Sequence, residues 1–135
     1  MSEKKKQFIN TPFKLWDFKQ ATTFADNDVY RVMDLPLLDT TGKLRFTVST
    51  TVLHPKQSTR GHMHDHWEVY SFMSGNGVFT ISIGNKIENV IVEAGKWAFV
   101  EGQMYHKVTN FDESVDLTFF TFSPERVGRP PFVTQ

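Results

Sequence analysis

Gly61-His62-Met63-His64-Asp65-His66-Trp67-Glu68-Val69-Tyr70-Ser71-Phe72-Met73-Ser74-Gly75 is the stretch on which the reading of this chain turns. Between His62 and Glu68 it sets three histidines and a glutamate within seven residues. Imidazole nitrogens with one carboxylate are the donors a borderline divalent metal takes. His62 and His64 stand two apart, so on an extended backbone they point the same way. From Glu68 the residues alternate as a strand, with Glu68, Tyr70 and Phe72 on one face. A fourth imidazole, His106, lies downstream in Gly95-Lys96-Trp97-Ala98-Phe99-Val100-Glu101-Gly102-Gln103-Met104-Tyr105-His106-Lys107-Val108-Thr109-Asn110.

The flanking sequence is a succession of short strands. Val29 to Leu35 is one, stopped by Pro36. Asp39-Thr40-Thr41-Gly42 is a turn, and Leu44 to Leu53 follows with a period of two: Phe46, Val48, Thr50 and Val52 on one side, Arg45, Thr47, Ser49 and Thr51 on the other. Pro55 ends that strand. Ser74-Gly75-Asn76-Gly77 is a hairpin signal between Glu68 to Met73 and Val78 to Ile83. Ile87 to Val92, Trp97 to Val100, Tyr105 to Asn110 and Val115 to Phe122 complete the set. Strands at such spacing, with no helix-period segment after residue 29, predict an all-β barrel or jelly roll.

The chain divides into an N-terminal arm (residues 1–28), a barrel (29–123) and an irregular tail (124–135). The arm is apolar, with Phe8, Ile9, Phe13, Leu15, Trp16, Phe18 and Phe24. It either packs on its own barrel or crosses to a second copy as a homodimer.

Composition limits the rest. At 135 residues there is room for one domain with a core. Fifteen basic and fifteen acidic residues balance, so neither a nucleic acid nor an anionic membrane is the expected partner. The chain has no cysteine, which excludes thiolate metal sites, disulfides and thiol nucleophiles; a metal here takes nitrogen and oxygen. The polar start, Met1 to Gln7, is unlike a secretory signal, and no apolar run reaches membrane-spanning length, so a cytoplasmic location is expected.

At these residues the sequence resembles the cupin family. The first cupin motif runs Gly, five residues, His-x-His, three or four residues, Glu, six residues, Gly. His62, His64, Glu68 and Gly75 fit it, while Gly61 stands directly before His62 rather than at the leading glycine position. The second motif runs Gly, five residues, Pro-x-Gly, two residues, His, three residues, Asn. Gly95, His106 and Asn110 fit; Glu101 stands at the proline position, Gln103 at the glycine position, and Gly102 comes one residue early. The resemblance covers roughly residues 44–123. It implies a cupin double-stranded β-helix, or jelly-roll barrel, with His62, His64, Glu68 and His106 as ligands of one divalent transition metal: iron, manganese, zinc, nickel or cobalt.

The run from Thr59 to Tyr70 is also similar to that of cupin-type glucose-6-phosphate isomerases, although their gap between His-x-His and Glu is longer. That likeness implies a Lewis-acid metal acting on a small hydroxy-carbonyl or sugar-phosphate substrate, with Tyr70 or His66 moving a proton. Arg60 would hold a phosphate or carboxylate at the mouth. On the last strand either Thr118, Phe120 and Phe122 or Leu117, Phe119 and Thr121 would line a largely apolar pocket; Phe120 and Phe122, with Phe72, are the candidate lining. Two other functions fit the same residues: an iron-dependent dioxygenase on a small apolar or aromatic substrate, and a non-catalytic small-molecule-binding barrel.

Overall fold

The computed structural model describes residues 13, 15–35, 37–43 and 46–124. Phe8 and Ile9 of the arm, Pro36, Leu44, Arg45 and the tail beyond Pro124 lie outside the described residues. Among the described residues, nine strands follow a single 3-10 turn, Phe18–Gln20, which Asp17 caps by accepting from the Lys19 N–H. They are β1 (Thr22–Asp26), β2 (Tyr30–Leu35), β3 (Phe46–Leu53), β4 (Glu68–Ser74), β5 (Asn76–Ile83), β6 (Lys86–Glu93), β7 (Trp97–Val100), β8 (His106–Thr109) and β9 (Leu117–Pro124). Every pairing is antiparallel. Six strands form one sheet in the order β1-β2-β3-β9-β4-β7, and three form a second in the order β6-β5-β8.

The eight strands expected from sequence are present, with ends that differ by one or two residues. The ninth, β1, falls inside the expected arm and pairs with β2. Phe24 and Ala25 of β1 pack against the core, so this part of the arm covers its own barrel. At the other end β9 extends through Pro124, one residue into the expected tail. Gly75 has φ +90, and a Cβ there would press on the Asp116 carbonyl, which is why the β4–β5 hairpin needs glycine at that point.

The core lies between the sheets. Tyr30, Val32, Leu53, Tyr70, Phe72, Phe79, Val100, Val108, Leu117 and Phe119 are all buried in one cluster. Phe72 is packed at its centre against Tyr70, Phe79 and Phe119, with ring centroids 5.4–6.2 Å apart. The alternation on β3 resolves in an unexpected sense. Thr51 and Leu53 face inward, opposite Val32 and Tyr30 of β2 and Phe119 and Leu117 of β9. The apolar set with Phe46 and Val48 faces outward, where Phe46 stacks on Phe122.

Candidate metal centre

Two strands and one loop segment carry the four donors. Glu68 opens β4, in the larger sheet, and His106 opens β8, in the smaller. The His62–His64 segment lies against β8 without forming a regular strand. It makes one bridge at Ser58↔Thr109 and another at His62↔His106, where the two histidines exchange N–H···O bonds of 3.1 and 3.0 Å. Gly61 lets the segment approach, because any Cβ there would collide with the Tyr105 ring. Gln103 ties the far corner down by donating its N–H to the His64 carbonyl at 2.6 Å. Its φ is +66, so the residue at the motif's glycine position keeps the left-handed backbone although it carries a side chain.

The ligand atoms of His62, His64, Glu68 and His106 all lie within 4.8 Å of one another. The three imidazole centroids form a triangle with sides of 4.5, 5.0 and 5.1 Å. Glu68 Oε1 sits 3.2 Å from both His64 Nε2 and His106 Nε2.

The hydrogen bonds of the rings test whether the group fits a cation. His62 Nδ1 donates to the Arg60 carbonyl (3.0 Å), His64 Nδ1 to the His66 carbonyl (2.8 Å) and His106 Nδ1 to the Met104 carbonyl (2.8 Å). A carbonyl only accepts, so each Nδ1 carries the proton and each neutral ring turns the Nε2 lone pair toward the others. Lone pairs at 3.2 Å from a carboxylate oxygen repel it unless positive charge lies among them. A divalent ion supplies that charge, and the residues fit one.

The electrostatics agree. Glu68 shows the same need for positive charge: burial would raise its carboxyl, and without a metal it is held well below the usual carboxylate range by Nε2 protons and charge on His106 and His64, the part a cation takes over when the rings are neutral. Burial lowers His62 from the ordinary imidazole value against the opposing pull of the Arg60 carbonyl, which keeps it neutral and able to ligate.

The remaining residues singled out in the sequence divide. Tyr70 is buried and donates its hydroxyl to Glu68 Oε1 at 2.9 Å, so it orients a ligand. His66 is outside the four-donor group; its ring stacks on His64 with centroids 3.9 Å apart and planes 6° apart. It backs the ligand, and its carbonyl orients it. The fifth histidine, His54, is outside the four-donor group and pairs with Asp116. Phe72 is a core residue beneath the site. The expectation that Phe120 and Phe122 line the pocket is corrected: the inward residues of β9 are Phe119 and Thr121, while Phe120 and Phe122 stack with each other and with Phe46 and Trp97 on the outside.

A chamber of about 30 Å³ adjoins His62 and Glu68, lined also by Tyr30, Val32, Thr51, Thr59, Tyr70, Phe119 and Thr121. The sequence reading missed Tyr30, Val32, Thr51 and Thr59. Parity along β2 and β3 is the signal for the first three, and it does not say which side is inside; Thr59 lies on the loop before β4 and carries no such signal. Arg60 lies in a neighbouring cleft of about 450 Å³ with Phe24, Asn27, Asp28, Val29, Tyr30 and Ser58. Tyr30 is common to both. Asn110, the last residue of the second motif, is fully buried and donates to the Leu53 and Val115 carbonyls at 3.0 and 2.8 Å. Its role is to lock the turn after β8 onto β3.

The fold matches that of a group of solved structures. Hazelnut (Corylus avellana) vicilin aligns with a TM-score of 0.70 at 18% identity, covering 87% of this chain and 34% of that one. The Lactobacillus farciminis oxalate decarboxylase formate complex aligns at 0.70 and 16% identity, covering 87% and 33%. Bacillus subtilis oxalate decarboxylase, studied for its Mn(II) centres, aligns at 0.69 and 12% identity, covering 84% and 30%.

The chain has the cupin fold.

It spans about a third of the length of these cupin-fold neighbours. The sequence matches no protein-family model and no curated protein. Among the described residues, no helix is long and apolar enough to cross a membrane.

Proposed function

We propose that this cupin is a metal-dependent enzyme acting on a small hydroxy-carbonyl compound, an isomerase of sugar-like or sugar-phosphate substrates. The observation that carries the reading is the inward turn of three Nε2 lone pairs toward Glu68 beside a small chamber that offers hydroxyls from Tyr30, Thr51, Thr59, Tyr70 and Thr121. A divalent ion held by His62, His64, Glu68 and His106 supplies Lewis acidity toward adjacent substrate oxygens. Mn(II), the ion of the Bacillus subtilis neighbour, suits this donor set.

The chain's own residues define what enters. About 30 Å³ has room for about two waters, so it takes the substrate's oxygens beside the ligand cluster and not a whole sugar. The remainder of the substrate extends past Tyr30 into the larger cleft, where Arg60 meets an anionic end. Thr51, Thr59 and Thr121 offer hydroxyls to the substrate, and Val32 and Phe119 keep water out. Tyr70 holds a proton at its hydroxyl, 2.9 Å from Glu68, and is placed to pass it to the bound unit. His66 serves by holding His64 in place.

A second reading, an iron-dependent dioxygenase, is favoured by the apolar wall of Val32, Tyr30 and Phe119. Elemental analysis of protein purified without added metal comes first. Hydroxy-carbonyl interconversion with no oxygen uptake supports the isomerase. Oxygen consumption by the iron-loaded protein supports the dioxygenase. A stably folded protein that takes up no metal defeats both.

A further inference from the structure

Two cavities meet at one side chain. The chamber of about 30 Å³ beside His62 and Glu68 and the cleft of about 450 Å³ that holds Arg60 share a single lining residue among those described, Tyr30. The rest of the boundary between them is the segment before the ligand pair. Its residues alternate: Ser58 and Arg60 line the cleft, and Thr59 between them lines the chamber. That is the two-sided pattern of an extended backbone, here with a cavity on each side.

The backbone on both sides of the boundary is held. Ser58 bridges to Thr109, and their hydroxyls lie 2.8 Å apart. The Thr59 N–H donates to the Val108 carbonyl at 2.8 Å, and its Oγ1 accepts from the Val108 N–H at 2.9 Å. The Arg60 carbonyl accepts from His62 Nδ1 at 3.0 Å, so this segment does not move without disturbing a ligand. Opposite it, the Tyr30 N–H donates to Asn27 Oδ1 at 3.1 Å, the Tyr30 carbonyl accepts from the Asn27 N–H at 3.0 Å, and β3 pairs Tyr30 with Leu53. Between two fixed backbones, side-chain volume sets the width of the passage. Tyr30 is buried at 8% exposure, and the next inward residue of β2, Val32, lines the chamber without reaching the cleft.

We infer that Tyr30 is a specificity-determining residue: its ring sets the cross-section of what passes from the cleft to the donor cluster, so the protein takes substrates whose reacting end is an unbranched chain bearing a carboxylate or carbonyl. This deepens the function proposed above and rests on it for the direction of entry. The two volumes agree with it. Room for about two waters beside the donors excludes a branched end, while the cleft has the size of a small-ligand site and takes the remainder of the molecule.

Anion binding tests it without turnover. Protein loaded with cobalt(II) reports a ligand at the ion through its visible absorption. Pentanoate and pivalate are isomers of equal charge that differ in branching. The wild type should bind pentanoate at least about tenfold more tightly than pivalate. Tyr30→Ala, and Tyr30→Val with a side chain suited to a strand, should bring the two within about threefold, while Tyr30→Phe keeps the ring and the wild-type ratio. Equal binding by the wild type, a ratio that survives both Tyr30→Ala and Tyr30→Val, or a ratio lost in Tyr30→Phe overturns the inference. A failed isomerase assay with the ratio intact counts against the proposed reaction and leaves Tyr30 in its role. Protein that takes up no cobalt defeats that reaction too, and the passage is then read in chelator-treated protein from the carbethoxylation of His62 by diethyl pyrocarbonate, mapped by peptide mass against the outlying His54. Tyr30→Ala should speed the reaction at His62 several-fold relative to His54, and an unchanged ratio overturns the inference.

Discussion

The two faces of the larger sheet reverse what the β3 alternation suggests. The inner face carries threonine hydroxyls, a buried tyrosine and a carboxylate, because it borders the donor cluster. The outer face carries phenylalanines and tryptophan. Hydrophobic pattern gives the period of a strand and its two sides; it gives the direction of the core only when the core is the sole apolar surface. Here the inner face combines an apolar core with the polar groups of the site, and the outer face is apolar as well. β3 shows this most plainly, with Thr51 turned toward the chamber and Phe46 away from it.

The largest effect that separates the faces belongs to the ligands. His106→Ala, on the inner side, should abolish stoichiometric metal by elemental analysis, while the outward Phe99→Ala retains it. A His106→Ala protein that still holds one metal per chain would show the site misassigned.

Stability gives the next contrast. Phe72→Ala, at a 1% exposed position within the aromatic core, should cost about 3–5 kcal/mol in urea unfolding. Trp97→Ala, 68% exposed, should change the unfolding of the isolated chain by less than about 0.5 kcal/mol. Equal losses at the two positions would mean that the outer face is packed within one chain.

Tyr70→Phe sharpens the inner face further. It removes the hydroxyl that orients Glu68 and nothing else, so metal affinity should fall roughly 10–100-fold, as measured by competition with a chelator. An unchanged affinity would assign the hydroxyl to substrate alone.

Acid should act on the inner face. His62 is lowered in the folded state, so below the ordinary imidazole value of about 6.5 the unfolded chain binds more protons than the folded one. Glu68, also lowered, adds the same sign in the carboxylate range. The metal-free protein is therefore most stable above both ranges and loses stability as pH falls through the imidazole range and then the carboxylate range. Metal is released in the same direction, because the ligands must be deprotonated. Urea midpoints that stay flat down to about pH 5 would contradict the shift at His62.

The smallest effect lies at the corner between the motifs. Gln103→Gly relieves a left-handed residue that costs about 1–2 kcal/mol and adds chain entropy worth about 0.5–1 kcal/mol. The variant should gain up to about 1 kcal/mol in unfolding with metal content unchanged.

Much of the fold and the ligand set could be read from the residues. Turn chemistry at Gly75, the breaks at Gly42 and Pro55, and period-two runs located eight of the nine strands, because those signals are local. β1 was hidden because Thr22–Asp26 follows an apolar arm with no turn signal before it, and only pairing with β2 defines it. Spacing brought His62, His64, Glu68 and His106 together correctly as a group. The chamber wall was not legible. Thr51, Thr59 and Thr121 look like ordinary surface threonines in sequence, and Phe119 cannot be told from Phe120 by composition.

By itself the sequence determined the strand periods, the absence of thiol chemistry and which four side chains are the candidate donors, since these depend on residue type and spacing along the chain. The tertiary structure decided which side of each strand is interior, that His66 backs a ligand instead of being one, and that Arg60 belongs to the adjoining cleft. The reason is physical. A strand's alternation is symmetric between its two faces, and only the packing of one sheet on another breaks that symmetry.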